Sequence, residues 1–332
     1  MTNIRTDLLI VGAGPVGLFT AFYAGMRNLS VRLVDSLPEI GGQPKALYPE
    51  KNIYDIPAYP KITGQELSQV LAMQLDRFRD TTNIHLNEKV LAIQKINDDF
   101  YIETTKGRYT AGAVIIAAGN GSFKPRKIAI DGLSEYEEKH ISYHVSDFDK
   151  YTNKEVAVLG GGDSAFDAVL ALSDYAKKVY LVHRRDRFRA HEYSVSLAKQ
   201  KANIEFVTPY VPEKLIGVGG TLTGLQIAKA RSQESRLLDI DHIFMTYGFV
   251  SSIDEIREWS LEIENESIVV DHNLQTNIPG IYAVGDIATY PHKAKLIATG
   301  FGEAPHVINQ AVHYLFPERR IAPLHSTSMF TD

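Results

Sequence analysis

Short, wholly apolar runs that end at glycine set the pattern of this chain. Leu8 to Val11 leads into Gly12-Ala13-Gly14-Pro15-Val16-Gly17, then a helix-like stretch from Leu18 to Asn28 and a second apolar run, Val31 to Val34. The order returns as Glu155 to Leu159, the turn Gly160-Gly161-Gly162, a helical stretch from Phe166 to Ala176, and Val179 to Val182. Runs without polar alternation fit strands buried on both faces of a parallel sheet. Strand, glycine turn, helix and strand in about 30 residues form a βαβ unit. Two such units a domain's length apart predict an α/β chain with two Rossmann-like dinucleotide-binding domains, not a short repeat.

Three further apolar runs end in glycine: Ala113 to Gly119, His242 to Gly248, and Ile281 to Gly285 with Asp286 behind it. If the last belongs with the first unit, the second domain is inserted into the first. The expected division is 1–118 with 249–332 for one domain and 119–248 for the other, with a C-terminal extension at 321–332. Gly, Asn, Ser and Pro between Gly119 and Pro125 suit a crossover, and Gly119, Gly121 and Gly248 are candidate hinges.

Length and composition narrow the classes. A chain of 332 residues, 44% hydrophobic and 23% charged, is an ordinary globular chain of two domains. A net charge of −5 argues against a general nucleic-acid binder. Cysteine is absent, which excludes thiolate metal sites, iron–sulfur ligation and dithiol exchange on this chain. No apolar run reaches the ~18 residues of a membrane span. The first apolar run passes straight into a glycine turn, unlike a signal peptide. A cytoplasmic location is expected.

The first turn carries the more specific chemistry. In Gly12-x-Gly14-x-x-Gly17 one glycine permits the turn, one admits a pyrophosphate, and one allows the helix to pack on its strand. Asp35, at the end of the second strand, is placed to accept the hydroxyls of an adenosine ribose. Gly41, Gly42 and Gln43 bring backbone close to something flat or charged. Gly285 and Asp286 offer a carboxylate for the ribityl chain of a flavin. Glu303, Ala304, Pro305 and His306 are expected to open the last helix, because proline suits a first turn; a dipole there would favour negative charge on a flavin ring. In this order the features point to FAD in the first domain.

The second turn is looser, Gly160-x-Gly162-Asp163-Ser164-Ala165, with alanine where a third glycine is usual. Where the first unit has an acid, this one has His183, Arg184 and Arg185, with Arg189 nearby. Arginine forks bind phosphate through paired, charge-assisted bonds, so the turn is expected to take NADPH, through its 2′-phosphate. Arg187 reads as a solvated loop residue. Asp163 and Asp167 suit a helix start in any case. His85, His242, His272 and His313 have no ligand spacing and read as surface residues, and no metal site is expected.

The order of motifs resembles the low-molecular-weight thioredoxin reductases over nearly the whole chain. Those carry Cys-x-x-Cys before the second turn, where this sequence has Tyr143 to Asp147. The closer resemblance is to the thioredoxin-reductase-like ferredoxin–NADP⁺ reductases, through Gly41 to Lys51, Ile53 to Pro57 and the tail from Pro323 to Ser328. That resemblance implies Tyr48 on one face of the flavin ring, His325 on the other, and Thr327 or Ser326 near N5. It adds Gly12, Gly14, Pro15, Gly17, Asp35, Gly42, Gln43, Val90, Phe123, Gly285, Asp286 and Thr327 around FAD. It implies hydride transfer from NADPH to flavin N5, then single electrons to ferredoxin or flavodoxin. It also implies a homodimer in which the tail covers its own or the partner's flavin. Lys293, Lys295, Arg319 and Arg320 are candidates for a carrier-facing surface. An NADPH diaphorase or quinone reductase, or a flavin redox sensor without turnover, stands as the alternative.

Overall fold

The computed structural model describes residues 5–143, 145, 148–319 and 326–328. Two compact units emerge, Met1–Phe123 with Ser251–Asp332, and Lys124–Val250. The chain crosses between them a few residues beyond the expected positions, within the extended segments Ser122–Pro125 and Phe249–Ser252.

In the first unit a parallel sheet runs in the order Thr82–His85, Val31–Val34, Thr6–Val11, Arg108–Ile116. Residues Val114 to Ile116 also pair in parallel with Ile281–Ala283, while Arg108 to Ala111 pair antiparallel with Asp99–Thr104 of a hairpin. The strand from the C-terminal part of the chain therefore completes the sheet of the first unit, and the second unit is an insertion. The central strands are buried throughout: Leu8, Leu9, Ile10, Val114, Ile115 and Ile116 are each 0% exposed. Helix Pro15–Met26 packs on these strands and against helices Gly64–Leu75 and Ile297–Leu315. Gly64–Leu75 begins with a capping box, in which Thr63 and Glu66 satisfy each other's backbone N–H groups.

The second unit repeats the plan. Its parallel order is Ile204–Val207, Lys178–Val182, Glu155–Leu159, His242–Met245, Ile141–Ser142. Side chains alternate between two cores, as period-two geometry demands. Ala157, Leu159 and Val182 join Leu222 and Leu225 of the antiparallel strand Thr221–Lys229. Val156, Val158, Val179 and Leu181 join Phe166, Val169 and Leu172 of helix Asp163–Ser173. Both faces are buried, which is why neither strand alternates with polar residues.

Two histidines expected at the surface are partly buried. His85 lies 3.3 Å from the Tyr109 hydroxyl and 3.4 Å from Glu88. His242 packs against Tyr151 and Phe244, at 5.1 and 4.9 Å between ring centres, with Nε2 2.9 Å from Ser142 Oγ. It shares the face of its strand with Phe244, so the sheet draws the imidazole in with the phenyl ring. Burial, with His140 nearby, pushes the His242 imidazole down to about 4. Between pH 6.5 and 4 the unfolded chain then takes up a proton that the folded one refuses. Stability is lost as pH falls through that window, by about 3 kcal/mol. Urea unfolding at pH 7 and pH 4.5 should show this loss in the native chain and a smaller one in His242→Phe; equal losses would place the imidazole in water.

Candidate functional site

At the first glycine turn, strand Thr6–Val11 passes into helix Pro15–Met26 with Gly14 as its cap. Gly12 has φ +107°, and a Cβ there would stand 2.4 Å from the Ala117 carbonyl oxygen. A Cβ on Gly17 would stand 1.9 Å from the Gly12 carbonyl oxygen. These two glycines are therefore forced by contact between helix and strands. Gly14 differs, because its added Cβ would find nothing nearer than Gly42 Cα at 3.7 Å. The turn is tight behind and open in front.

Asp35 is almost buried behind this turn. One carboxylate oxygen accepts from the Ala13 N–H at 2.6 Å and the other from the Leu37 N–H at 2.8 Å. Burial raises its pKa, while N–H groups of Leu37, Ala13 and Ser36 pull the other way. With three N–H partners the carboxylate still has acceptor capacity for one further donor. The carboxylate thus fixes the turn and remains an acceptor. Its backbone is joined to the strand behind: the Asp35 N–H reaches His85 and the Glu88 N–H reaches Asp35, just before Val90 opens strand Val90–Ile96.

The glycine pair at 41 and 42 approaches the first turn itself. The Gly41 N–H donates to the Ala13 carbonyl at 2.8 Å, and a Cβ on Gly42 would meet Gly14 Cα at 2.7 Å. Gln43 then accepts from Asn120 Nδ2 at 3.4 Å. Phe123 is partly buried at the end of the first unit's first segment.

The Gly285–Asp286 corner is built by residues read differently in the sequence. Glu303 does not open the last helix. That helix starts at Ile297, and Pro305 lies in its interior. Glu303 instead turns inward, accepting from the Gly285 N–H at 2.7 Å and the Tyr290 hydroxyl at 2.8 Å. Lys293 pairs with it at 2.7 Å and donates to the Gly285 carbonyl at 2.6 Å. The two side chains are 4% and 7% exposed, so Lys293 is not part of a carrier-facing surface. Burial pulls its ammonium below the usual range, with Glu303 and Asp286 opposing. Lys295 donates to Ser267 Oγ, Arg319 is exposed beside the Phe316 ring, and Arg320 lies outside the described residues.

Asp286 is half-buried, and burial raises its pKa against the opposing charges of Lys295 and Lys293. Tyr48 follows helix Gly42–Leu47 and is partly buried; burial, then the charges of Asp286 and Asp55, push its phenol up. Tyr48 and Asp286, far apart in sequence, share one electrostatic neighbourhood. Ser326 and Thr327 are exposed in the short turn Ser326–Ser328, and His325 lies outside the described residues.

The second turn has the same form with different furniture. Gly162 caps helix Asp163–Ser173, and a Cβ there would meet nothing within 4 Å. Ala165 is buried where the first unit has its third glycine, and Ser164 lies in the first helical turn. The His183 ring lies against Gly161, whose Cβ would stand 2.5 Å from it. Asp163 accepts from the His191 N–H at 2.9 Å, and the Arg189 N–H donates to Gly161 at 2.8 Å. Arg184, Arg185 and Arg189 are exposed and make no ion pair among the described residues. Burial first, then these three charges, lower the His183 pKa. Three exposed cations thus gather around one ring beside an open glycine turn.

Two glycine turns of this kind, each at the edge of its own parallel sheet, define a two-domain dinucleotide-binding oxidoreductase. The chain belongs to the pyridine nucleotide-disulphide oxidoreductase family, whose sequence profile matches residues 6–311. It is 47% identical over 325 residues to ferredoxin–NADP reductase 2 of Listeria welshimeri, covering 98% of this chain and 97% of that protein. It is 48% identical over 323 residues to the ferredoxin–NADP reductase of Streptococcus pneumoniae, covering 97% and 98%. Among solved structures it is similar to Lactococcus lactis thioredoxin reductase, with a TM-score of 0.71 and 28% identity over 94% of this chain and 99% of that one. The chain has no cysteine, so dithiol chemistry is not available to it.

The buried ion pair gives a stability prediction. Removing one charge strands the other in a dry site, which costs about 3–5 kcal/mol, whereas replacing both by uncharged side chains of similar size is often nearly neutral. Lys293→Met alone should therefore unfold at markedly lower urea than the native chain, and Lys293→Met with Glu303→Gln should recover most of the loss. A double variant no more stable than the single would show that the charges do not compensate each other.

Proposed function

We propose that this chain is an FAD-dependent ferredoxin–NADP⁺ reductase, exchanging electrons between NADPH and ferredoxin or flavodoxin. The observation that carries the reading is the contrast between the two turns. A nearly buried carboxylate, Asp35, follows one, and three exposed arginines without an ion pair among the described residues follow the other. The names of the relatives support the choice of acceptor, and the absence of cysteine supports a flavin without a dithiol partner.

The residues of the first unit fit FAD. Gly14 leaves the front of its turn open, Asp35 retains acceptor capacity, and Asp286 with Tyr48 supplies a carboxylate beside a partly buried ring. In this reading Gly12, Gly14, Pro15 and Gly17 take the pyrophosphate at the helix start, Asp35 the ribose, and Asp286 the ribityl chain. Gly42, Gln43, Val90 and Phe123 line the nucleotide, and Gly285 sets the backbone before Asp286. Tyr48 covers one side of the ring, and the tail with His325, Ser326 and Thr327 the other. When bound, FAD supplies the centre that accepts hydride from NADPH and releases electrons singly. The protein's part is to hold the rings in line and keep water out. Gly160, Gly162, Asp163, Ser164 and Ala165 form the NADPH turn, and Arg184, Arg185 and Arg189 bind the 2′-phosphate beside His183. The working protein is a cytoplasmic homodimer.

Steady-state NADPH oxidation with purified ferredoxin, flavodoxin and menadione tests the reading. Turnover should be fastest with one of the two protein carriers. Turnover with menadione alone would make the chain a quinone reductase, and none with any acceptor would make it a sensor.

Arg184→Ala should lower kcat/KM for NADPH by about ten- to a hundredfold, the loss of one charge-assisted bond, and leave NADH unchanged. Equal losses for both nucleotides would remove Arg184 from the 2′-phosphate.

A further inference from the structure

Gly285 is held by both of its backbone polar groups. Glu303 accepts from its N–H at 2.7 Å, Lys293 donates to its carbonyl at 2.6 Å, and the two side chains close the loop at 2.7 Å. The residue so held has φ +71°, a left-handed conformation, and is followed directly by Asp286. The backbone of Gly285 sets where the Asp286 carboxylate stands. Tyr290 braces the arrangement through its hydroxyl on Glu303.

Stability alone does not account for this device. Two charges buried to 4% and 7% exposure pay a desolvation cost that an apolar pair of similar volume avoids. What the pair provides instead is direction: a fixed acceptor, a fixed donor, and an ammonium in the field of Asp286. Resting on the FAD reading above, we infer that Lys293 and Glu303 are positioning residues for the flavin site, holding the Gly285–Asp286 corner in the shape that receives the ribityl chain. They act through Gly285 and Asp286 and do not touch the reacting atoms. The adenosine half of the dinucleotide lies at Gly12 to Asp35 and does not depend on them.

This separation supplies the test. Full-length native chain and the double variant Lys293→Met/Glu303→Gln, both stripped of nucleotide, are titrated with FAD by flavin fluorescence and with ADP by calorimetry. ADP is titrated in saturating NADP⁺, which occupies the second glycine turn, so that it probes only the first. The double variant, with no stranded charge, should bind FAD about tenfold more weakly or worse and bind ADP within about twofold of native. Lys293→Arg, which keeps the donor and the charge, should retain most of the FAD affinity. Unchanged FAD affinity in the double variant would overturn the positioning role, as would FAD and ADP affinities falling together. Failure of the native chain to bind FAD at all would overturn the flavin reading on which the inference rests.

Discussion

A helix can begin directly over the end of a strand only where no side chain stands between them. Here that condition is met twice over: the absent Cβ of Gly17 leaves room for the Gly12 carbonyl, and that of Gly12 for the Ala117 carbonyl. With the helix seated so closely, its first turn faces the carboxyl edge of the sheet, and every other part of the site is arranged around that edge. Asp35 hydrogen-bonds into the turn, Gly41 and Gly42 lie across it, and Gly285 follows Ile281–Ala283, a strand of the same sheet. The second unit repeats the geometry with one relaxation, since Ala165 occupies the third glycine's place without losing its burial.

The two units differ in how they treat charge. In the first, carboxylates are drawn in and given backbone N–H partners or a buried ammonium, so negative charge is held in fixed places. In the second, positive charge is left on the outside, on long side chains without ion-pair partners among the described residues. On the proposed reading, a preformed acid and a set of exposed cations are different solutions to holding a ribose. A hydroxyl needs an acceptor at one spot, whereas a phosphate can be reached from several directions by guanidinium forks.

The central strands and both turns were legible because their signals are local: an apolar run, then glycines at fixed spacing. Val31–Val34 ends where its pattern ends, and Ile281–Ala283 declared itself through the run before Gly285. The clamp was not legible. Lys293 sits in Pro291-His292-Lys293-Ala294-Lys295, which reads as a basic loop, and nothing in the order of residues ties it to Glu303. Pro305 after an acid reads as a helix start, although the inward residues Gly300, Ala304, Val307, Ile308 and Ala311 keep helical spacing on both sides of it. That periodicity was the available signal. His242 had one too, since it alternates with Phe244 on a strand whose face is buried.

The long strand Arg108–Ile116 is shared between a neighbour made early and one made late. One edge lies along Thr6–Val11; on the other, its first half pairs with the preceding hairpin, but Val114 to Ile116 find their second partner in Ile281–Ala283, on the far side of an entire inserted unit. On the ribosome, the second unit is therefore complete in length before the first can close its sheet. Until then Val114 to Ile116 present an open, apolar strand edge, the kind of surface that pairs with whatever strand arrives first. The order of synthesis asks the inserted unit to fold promptly on its own, so that the next free strand the nascent sheet meets is its own.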